Sequence, residues 1–274
     1  MAMHHWGDRF SINTYSWTQS NTAVDCVRTL AERGVRSVEL MLYPGHLWIT
    51  DGRESLDQLR REIERSAVSL VTLNGPNIDL NIAAATEEMR KHSIALNSDY
   101  LRMAAELNAK ALILGPGKPN PLFPMPVEEM EAHFFRALDV LLPIARREGI
   151  ELWVENMPFA FLPDIDSLLA SLDRYGADDI GVCYDVANAH FIDEDPVGGF
   201  DRVAGRLRLV HLSDTYRSAY RHDPVGSGDV DFAAVAAKIA TLDLDHAPML
   251  EIISREPDRD IAHSIEALAS LSWS

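Results

Sequence analysis

The chain has 274 residues, 47% of them hydrophobic and 24% charged, an ordinary balance for a globular protein large enough to bury a core without staples. Lys and Arg together number 25 against 42 Asp and Glu, and the net charge of −17 disfavours nucleic-acid and anionic-membrane partners. The two cysteines, Cys26 and Cys183, stand far apart with no CxxC spacing, which excludes a disulfide scaffold and a thiolate zinc site.

At the N-terminus, Met1 to His5 shows no basic segment leading into an apolar one, so no signal peptide is expected. No run approaches the ~18 apolar residues of a membrane span, and the expected location is cytoplasmic. The first strand is predicted at Phe10 to Asn13, followed by a short helix marked by Val24, Val27 and Leu30. That helix stops at Glu32-Arg33-Gly34, where glycine takes a left-handed conformation cheaply. Strands follow at Ser37 to Met41 and Ser69 to Asn74. Thr86 fits an N-cap, with Glu87 and Glu88 in the first turn and Met89, Leu96, Tyr100, Met103 and Leu107 on one apolar face.

A fourth strand, Ala111 to Gly115, runs into Gly115-Pro116-Gly117-Lys118-Pro119, whose prolines remove the donors a phosphate cradle needs. A helix carrying Val127, Met130, Phe134, Leu138, Leu141 and Ala145 leads through Gly149 to a strand at Glu151 to Asn156. The last three strands are predicted at Gly181 to Asp185, Leu207 to Ser213 and Met249 to Ile253, with a helix at Phe232, Val235 and Ile239 before the last. Most of these strands are continuously apolar, as expected when helices cover them. Eight units averaging about 34 residues fit a (β/α)8 TIM barrel, an α/β fold, as one domain over residues 1–274. A dinucleotide-binding open sheet would need a glycine-rich first turn, and Asn13-Thr14-Tyr15-Ser16-Trp17 has none.

In a parallel barrel the site forms at the C-terminal strand ends. The fifth strand ends in Glu155-Asn156, the sixth in Asp185, the seventh in His211 and the eighth in Glu251. One such residue is commonly a helix cap or a satisfied core histidine. Four on consecutive strands, each about one unit apart, point at one volume over half the mouth. Three carboxylates gathered without a cation would raise one another's pKa values, and a divalent ion resolves that. Three oxygens and one imidazole favour Mn²⁺, with Mg²⁺, Co²⁺ or Zn²⁺ as alternatives.

These residues resemble those of the xylose-isomerase-like barrels, which include sugar phosphate isomerases/epimerases, ketose 3-epimerases and the endonuclease IV type of repair enzyme. The resemblance rests on Val38-Glu39-Leu40, Val154-Glu155-Asn156, Tyr184-Asp185-Val186-Ala187-Asn188 and His211-Leu212-Ser213-Asp214. It is most specific in the segment from Arg221-His222-Asp223 to Gly226-Ser227-Gly228-Asp229-Val230-Asp231. It implies one divalent metal held by Glu155, Asp185, His211 and Glu251, with Glu155 and Glu251 doing acid–base work. The implied function is a sugar isomerase/epimerase that abstracts a proton next to a carbonyl and passes through a metal-stabilised enediolate. A homodimer or homotetramer is implied by resemblance alone.

Arg217 matches the family's substrate-contacting arginine, and His222 is expected to support the site. Asn188 replaces a frequent family histidine; it keeps hydrogen bonding but cannot shuttle a proton. Tyr220 stands where the repair enzymes carry an acidic ligand, and Met157 and Ser213 replace residues of dehydroshikimate dehydratases. The alternatives are a lyase or dehydratase acting on a keto-sugar or keto-glycoside, then DNA repair or a non-catalytic sugar-binding barrel. Trp17, His46 and Trp48 are candidates for an apolar wall over a sugar. Lys118 is expected as a solvated loop lysine and Glu39 as a residue that orients a neighbour.

Overall fold

The computed structural model describes residues 5–271; Met1 to His4, part of the stretch read for a targeting signal, lies outside them. Eight parallel strands close into a barrel: β1 (Ser11–Asn13), β2 (Ser37–Met41), β3 (Ser69–Asn74), β4 (Ala111–Leu114), β5 (Glu151–Glu155), β6 (Ile180–Asp185), β7 (Leu207–Leu212) and, after a hairpin, β10 (Met249–Leu250). Closure comes from β1, which pairs with β2 on one side and β10 on the other.

Helices cover the barrel: α1 (Ala23–Glu32), α2 (Arg53–Ser66), α3 (Glu87–Glu106), α4 (Val127–Glu148), α5 (Ile165–Tyr175), α6 (Val186–Phe191), α7 (Pro196–Val203), α8 (Phe232–Ile239) and α9 (Pro257–Ser270). Gly149 and Gly176 end α4 and α5 in the left-handed conformation, with φ of 73° and 81°. Thr86 occupies the N-cap position of α3, yet its side chain makes no capping bond. None of the helices is long and apolar enough to cross a membrane among the described residues.

Two elements depart from expectation. The last strand keeps only Met249 and Leu250: Glu251 N–H still donates to Leu212 O at the end of β7, but Ile253 N–H turns to His222 O. The segment after β7 is not a plain loop but an antiparallel hairpin, β8 (Asp214–Tyr216) and β9 (Ala219–Asp223). Asp214 clamps the turn that follows, accepting from Gly226 N–H at 2.8 Å and Val230 N–H at 3.2 Å. Gly228 passes so close that a side chain there would collide with the Thr215 carbonyl and the Asp214 carboxylate. Asp231 caps α8 by accepting from Ala234 N–H. The glycine motif is thus a backbone clamp beside the barrel mouth.

The core has two parts. A large one lies between strands and helices, and a smaller one fills the barrel with Val71, Ala111, Ile113, Trp153, Cys183, Leu209 and Met249. Side chains two residues apart on a strand face the same way. The residue after next from Trp153, Cys183, Leu209 and Met249 is Glu155, Asp185, His211 and Glu251 respectively. The apolar plug therefore forms a floor, and the polar cluster sits one layer above it.

Candidate metal centre

The four predicted residues do meet. One ligand-capable atom from each of Glu155, Asp185, His211 and Glu251 lies within 4.8 Å of all the others. His211 Nδ1 is the hub, 3.2 Å from Glu251 Oε2, 3.4 Å from Glu155 Oε1 and 3.9 Å from Asp185 Oδ2. Its Nε2 lies 3.3 Å from Glu39 Oε1 on β2. Glu39 is itself held by Asn13 Nδ2 at 2.5 Å, Thr72 Oγ1 at 2.5 Å and Asn74 Nδ2 at 3.2 Å. The approach of Glu39 to Nε2 is a charge contact without hydrogen-bond geometry. Glu39 thus flanks His211 as a buried carboxylate and stays outside the group of four.

Asp185 serves twice. Its Oδ1 accepts from Asn188 N–H at 2.7 Å and caps α6. Its Oδ2 is buried and has no hydrogen-bond partner, and both ring nitrogens of His211 are in the same state. Such orphaned buried atoms are costly and call for an explanation. Burial pushes the Glu155 carboxyl up, with Asp185 and Glu39 adding to the lift and His211 opposing it. Burial likewise lifts Asp185 to about 6, against the pull of His222 and His211. At His211 burial opposes the charge, but the carboxylates of Glu39 and Glu251 outweigh it and hold the imidazole well above its ordinary range. Cys183, below the ring, is kept a neutral thiol by burial and does not join the cluster.

Three carboxylates and one imidazole, with two inward atoms unpartnered, fit a divalent cation of the Mn²⁺, Mg²⁺, Co²⁺ or Zn²⁺ type. Above the cluster opens a cleft of about 290 Å³. Glu155 and Glu251 line it, whereas Asp185 and His211 are fully buried beneath.

A hydrogen-bonded chain borders the cleft. Asn188 Nδ2 donates to Asn156 O at 2.9 Å, which leaves Oδ1 to accept from Tyr220 O–H at 2.8 Å. Tyr220, kept protonated by burial, accepts in turn from His222 Nε2 at 2.8 Å. His222 Nδ1 lies 3.0 Å from Ser213 Oγ and 3.4 Å from Glu251 Oε2. Asn188 Nδ2 also reaches Glu155 Oε1 at 3.5 Å. Asn188 and His222 both line the cleft, and Tyr220 joins them there.

Other candidates lie elsewhere. Arg217 pairs with Asp193 on the far side of the hairpin and does not line the cleft. Lys118 is no solvated loop lysine: its Nζ donates to the carbonyls of Asn77 and Ile78. Trp17 is in the core, Trp48 packs on Tyr100, and His46 contacts Asn21 O and Thr14 Oγ1. Tyr15, Tyr43 and Tyr220 line the cleft in their place. The supporting pair Asn13 and Thr72 went unread, because only the register of β1, β2 and β3 aims them at Glu39.

The uncharacterized protein MJ1311 of Methanocaldococcus jannaschii is 25% identical over 227 residues, covering 81% of this chain and 76% of its own. Among solved structures, a D-tagatose 3-epimerase-like protein superposes with a TM-score of 0.83 at 22% identity, covering 96% of each chain. The IolI protein, solved with a bound zinc atom, superposes at 0.78 and 14% identity, again covering 96% of each. These likenesses are in fold. Residues 27–271 match the sequence profile of a single family, and the chain belongs to it: the xylose isomerase-like TIM barrels.

Proposed function

We propose that the protein is a divalent-metal-dependent sugar isomerase or epimerase that moves a proton on a carbon next to a carbonyl. The reading is carried by one observation: of the four clustered residues, only the two glutamates reach the cleft. Glu155, Asp185, His211 and Glu251 would hold the cation, with Mn²⁺ the favoured ion. When bound, it supplies positive charge against the negative charge that develops on a carbonyl oxygen as the proton leaves.

The chain's own groups supply the rest. Glu155 and Glu251 extend from β5 and from the end of β10, so a substrate between them meets a carboxylate on each face. One carboxylate takes the proton and the other returns it. Delivery to the opposite face of the same carbon gives an epimer. Delivery to the neighbouring carbon, with the hydroxyl proton passing from one substrate oxygen to the other, gives an aldose–ketose pair. Asn188, held by Asn156 and Tyr220, offers its amide to Glu155 and fixes that carboxylate's direction.

The test combines elemental analysis of purified protein with solvent deuterium exchange into a panel of keto-sugars. About one divalent ion per chain is expected, with deuterium entering the carbon next to the carbonyl. In Glu251→Gln, both metal content and exchange should fall sharply. Absence of metal after Mn²⁺ or Co²⁺ is supplied would refute the reading.

A further inference from the structure

No Lys or Arg lines the cleft among the described residues. Among the nearby cations, Lys118 and Arg217 are committed to other partners, and Arg221 and Arg255 are exposed and outside the lining. Lys118 braces the loop after β3 through the carbonyls of Asn77 and Ile78, and Arg217 is tied to Asp193. Asp79 adds a carboxylate to the lining. Three carboxylates around one dication leave the centre with no surplus positive charge. A phosphate or carboxylate on the substrate would find no Lys or Arg in the lining, and the field of a −17 chain would repel it.

The rim of the same cleft is apolar. Ile78 after β3, Met157 after β5 and Ile253 after β10 all line it. Ile78 is 66% exposed and Ile253 39%. Phe159, 57% exposed, stands edge-on to Tyr220 with centroids 5.3 Å apart and extends the apolar surface outward. Single exposed apolar residues are ordinary. Several from separate loops around one concave site mark a place where apolar ligand surface is buried. The depth of the cleft offers the opposite chemistry, with Asn74, Asn188 and the Tyr15 hydroxyl.

Building on the function proposed above, we infer that this site takes an uncharged sugar bearing an apolar substituent, such as an alkyl or aryl glycoside, in preference to a sugar phosphate or sugar acid. The polyhydroxylated ring occupies the polar depth, and the substituent lies against Ile78, Met157 and Ile253.

The experiment titrates Mn²⁺-loaded protein with paired methyl and phenyl glycosides of several hexoses, and with hexose 6-phosphates, followed by saturation-transfer NMR. For the best-bound sugar, the phenyl member should bind at least fivefold more tightly than the methyl one, with the phosphates weakest. In the double variant Ile78→Ser/Ile253→Ser the phenyl advantage should fall below twofold. The inference is overturned by equal binding of methyl and phenyl members, by tightest binding of a phosphate, by an advantage that survives the double variant, or by no glycoside binding. Metal content and deuterium exchange are read on the same preparation. If both are positive while the phenyl preference is missing, the substrate inference fails alone; if both are negative, it falls together with the proposed chemistry.

Discussion

Asp185→Asn separates the two tasks of Asp185, because they respond to the substitution in opposite ways. As a cap, asparagine is the equal of aspartate and keeps an oxygen for the Asn188 N–H. As a buried carboxylate lifted to about 6, Asp185 is held ionised at neutral pH at a cost on the order of 3 kcal/mol. The metal-free variant should therefore be more stable than the metal-free parent by up to that amount, several degrees in Tm. A carboxyl group whose pKa is raised by folding contributes stability below its unfolded value and loses it as pH rises through the folded value. The gap between variant and parent should thus be absent near pH 4, open toward pH 6 and stay level above. Metal binding should move the other way. Losing one of three carboxylates should weaken Mn²⁺ by more than the ~10–100-fold typical of supporting residues. The roughly 3 kcal/mol that a cation at about 100 times its Kd adds to the parent should then vanish. Urea unfolding at several pH values, with and without millimolar Mn²⁺, reads both effects. A variant that is less stable without metal yet responds fully to Mn²⁺ would refute the reasoning and leave Asp185 a cap alone.

Glu39→Gln should weaken Mn²⁺ about 10- to 100-fold by removing the buried carboxylate beside His211, and isothermal titration showing unchanged affinity would remove its supporting role. Gly228→Ala should cost about 2 kcal/mol or more, since the obstacles are the Thr215 backbone and a clamped carboxylate; chemical denaturation measures it, and a neutral result would show that the hairpin turn yields. Arg217→Ala should leave Mn²⁺ affinity and deuterium exchange unchanged and move stability by less than about 1 kcal/mol, because it loses only an exposed ion pair. A loss of exchange there would mean that Arg217 swings to the substrate.

The barrel was legible because its signals are local. Each strand is an apolar run, and Gly34, Gly149 and Gly176 mark helix ends, all with positive φ. Glu155, Asp185, His211 and Glu251 could be picked out because each follows an apolar run at a strand end. The direction of a side chain was not legible where long-range packing decides it. Arg217 follows β8 into the turn of a hairpin whose strands carry no clean apolar alternation, and its pairing with Asp193 depends on how that hairpin lies. Trp17 and Trp48 follow strands as cleft residues would, but the chain after β1 and β2 turns them into packed surroundings while Tyr15 and Tyr43 face the opening. The last strand is shorter than its apolar run because that run continues through Ile252 and Ile253, of which Ile252 O accepts from Ser16 Oγ and Ile253 N–H donates to the hairpin at His222 O.

The division within the cluster follows from the side chains themselves. All four residues stand one pleat above the apolar plug, yet Asp185 and His211 remain in the floor while the glutamates meet the cleft. Asp185 is short and pinned by its cap, and the His211 ring is fully buried beside Glu39. The glutamates carry an extra methylene that reaches the cleft, where Asn188 lies 3.5 Å from Glu155 and His222 3.4 Å from Glu251, while Asn13 Nδ2 donates to Glu251 Oε1 at 3.2 Å. The Asn188–Tyr220–His222 chain connects the two glutamates along the cleft without passing through Asp185 or His211. That chain restrains their directions from the cleft side, whereas the cation would restrain them from below.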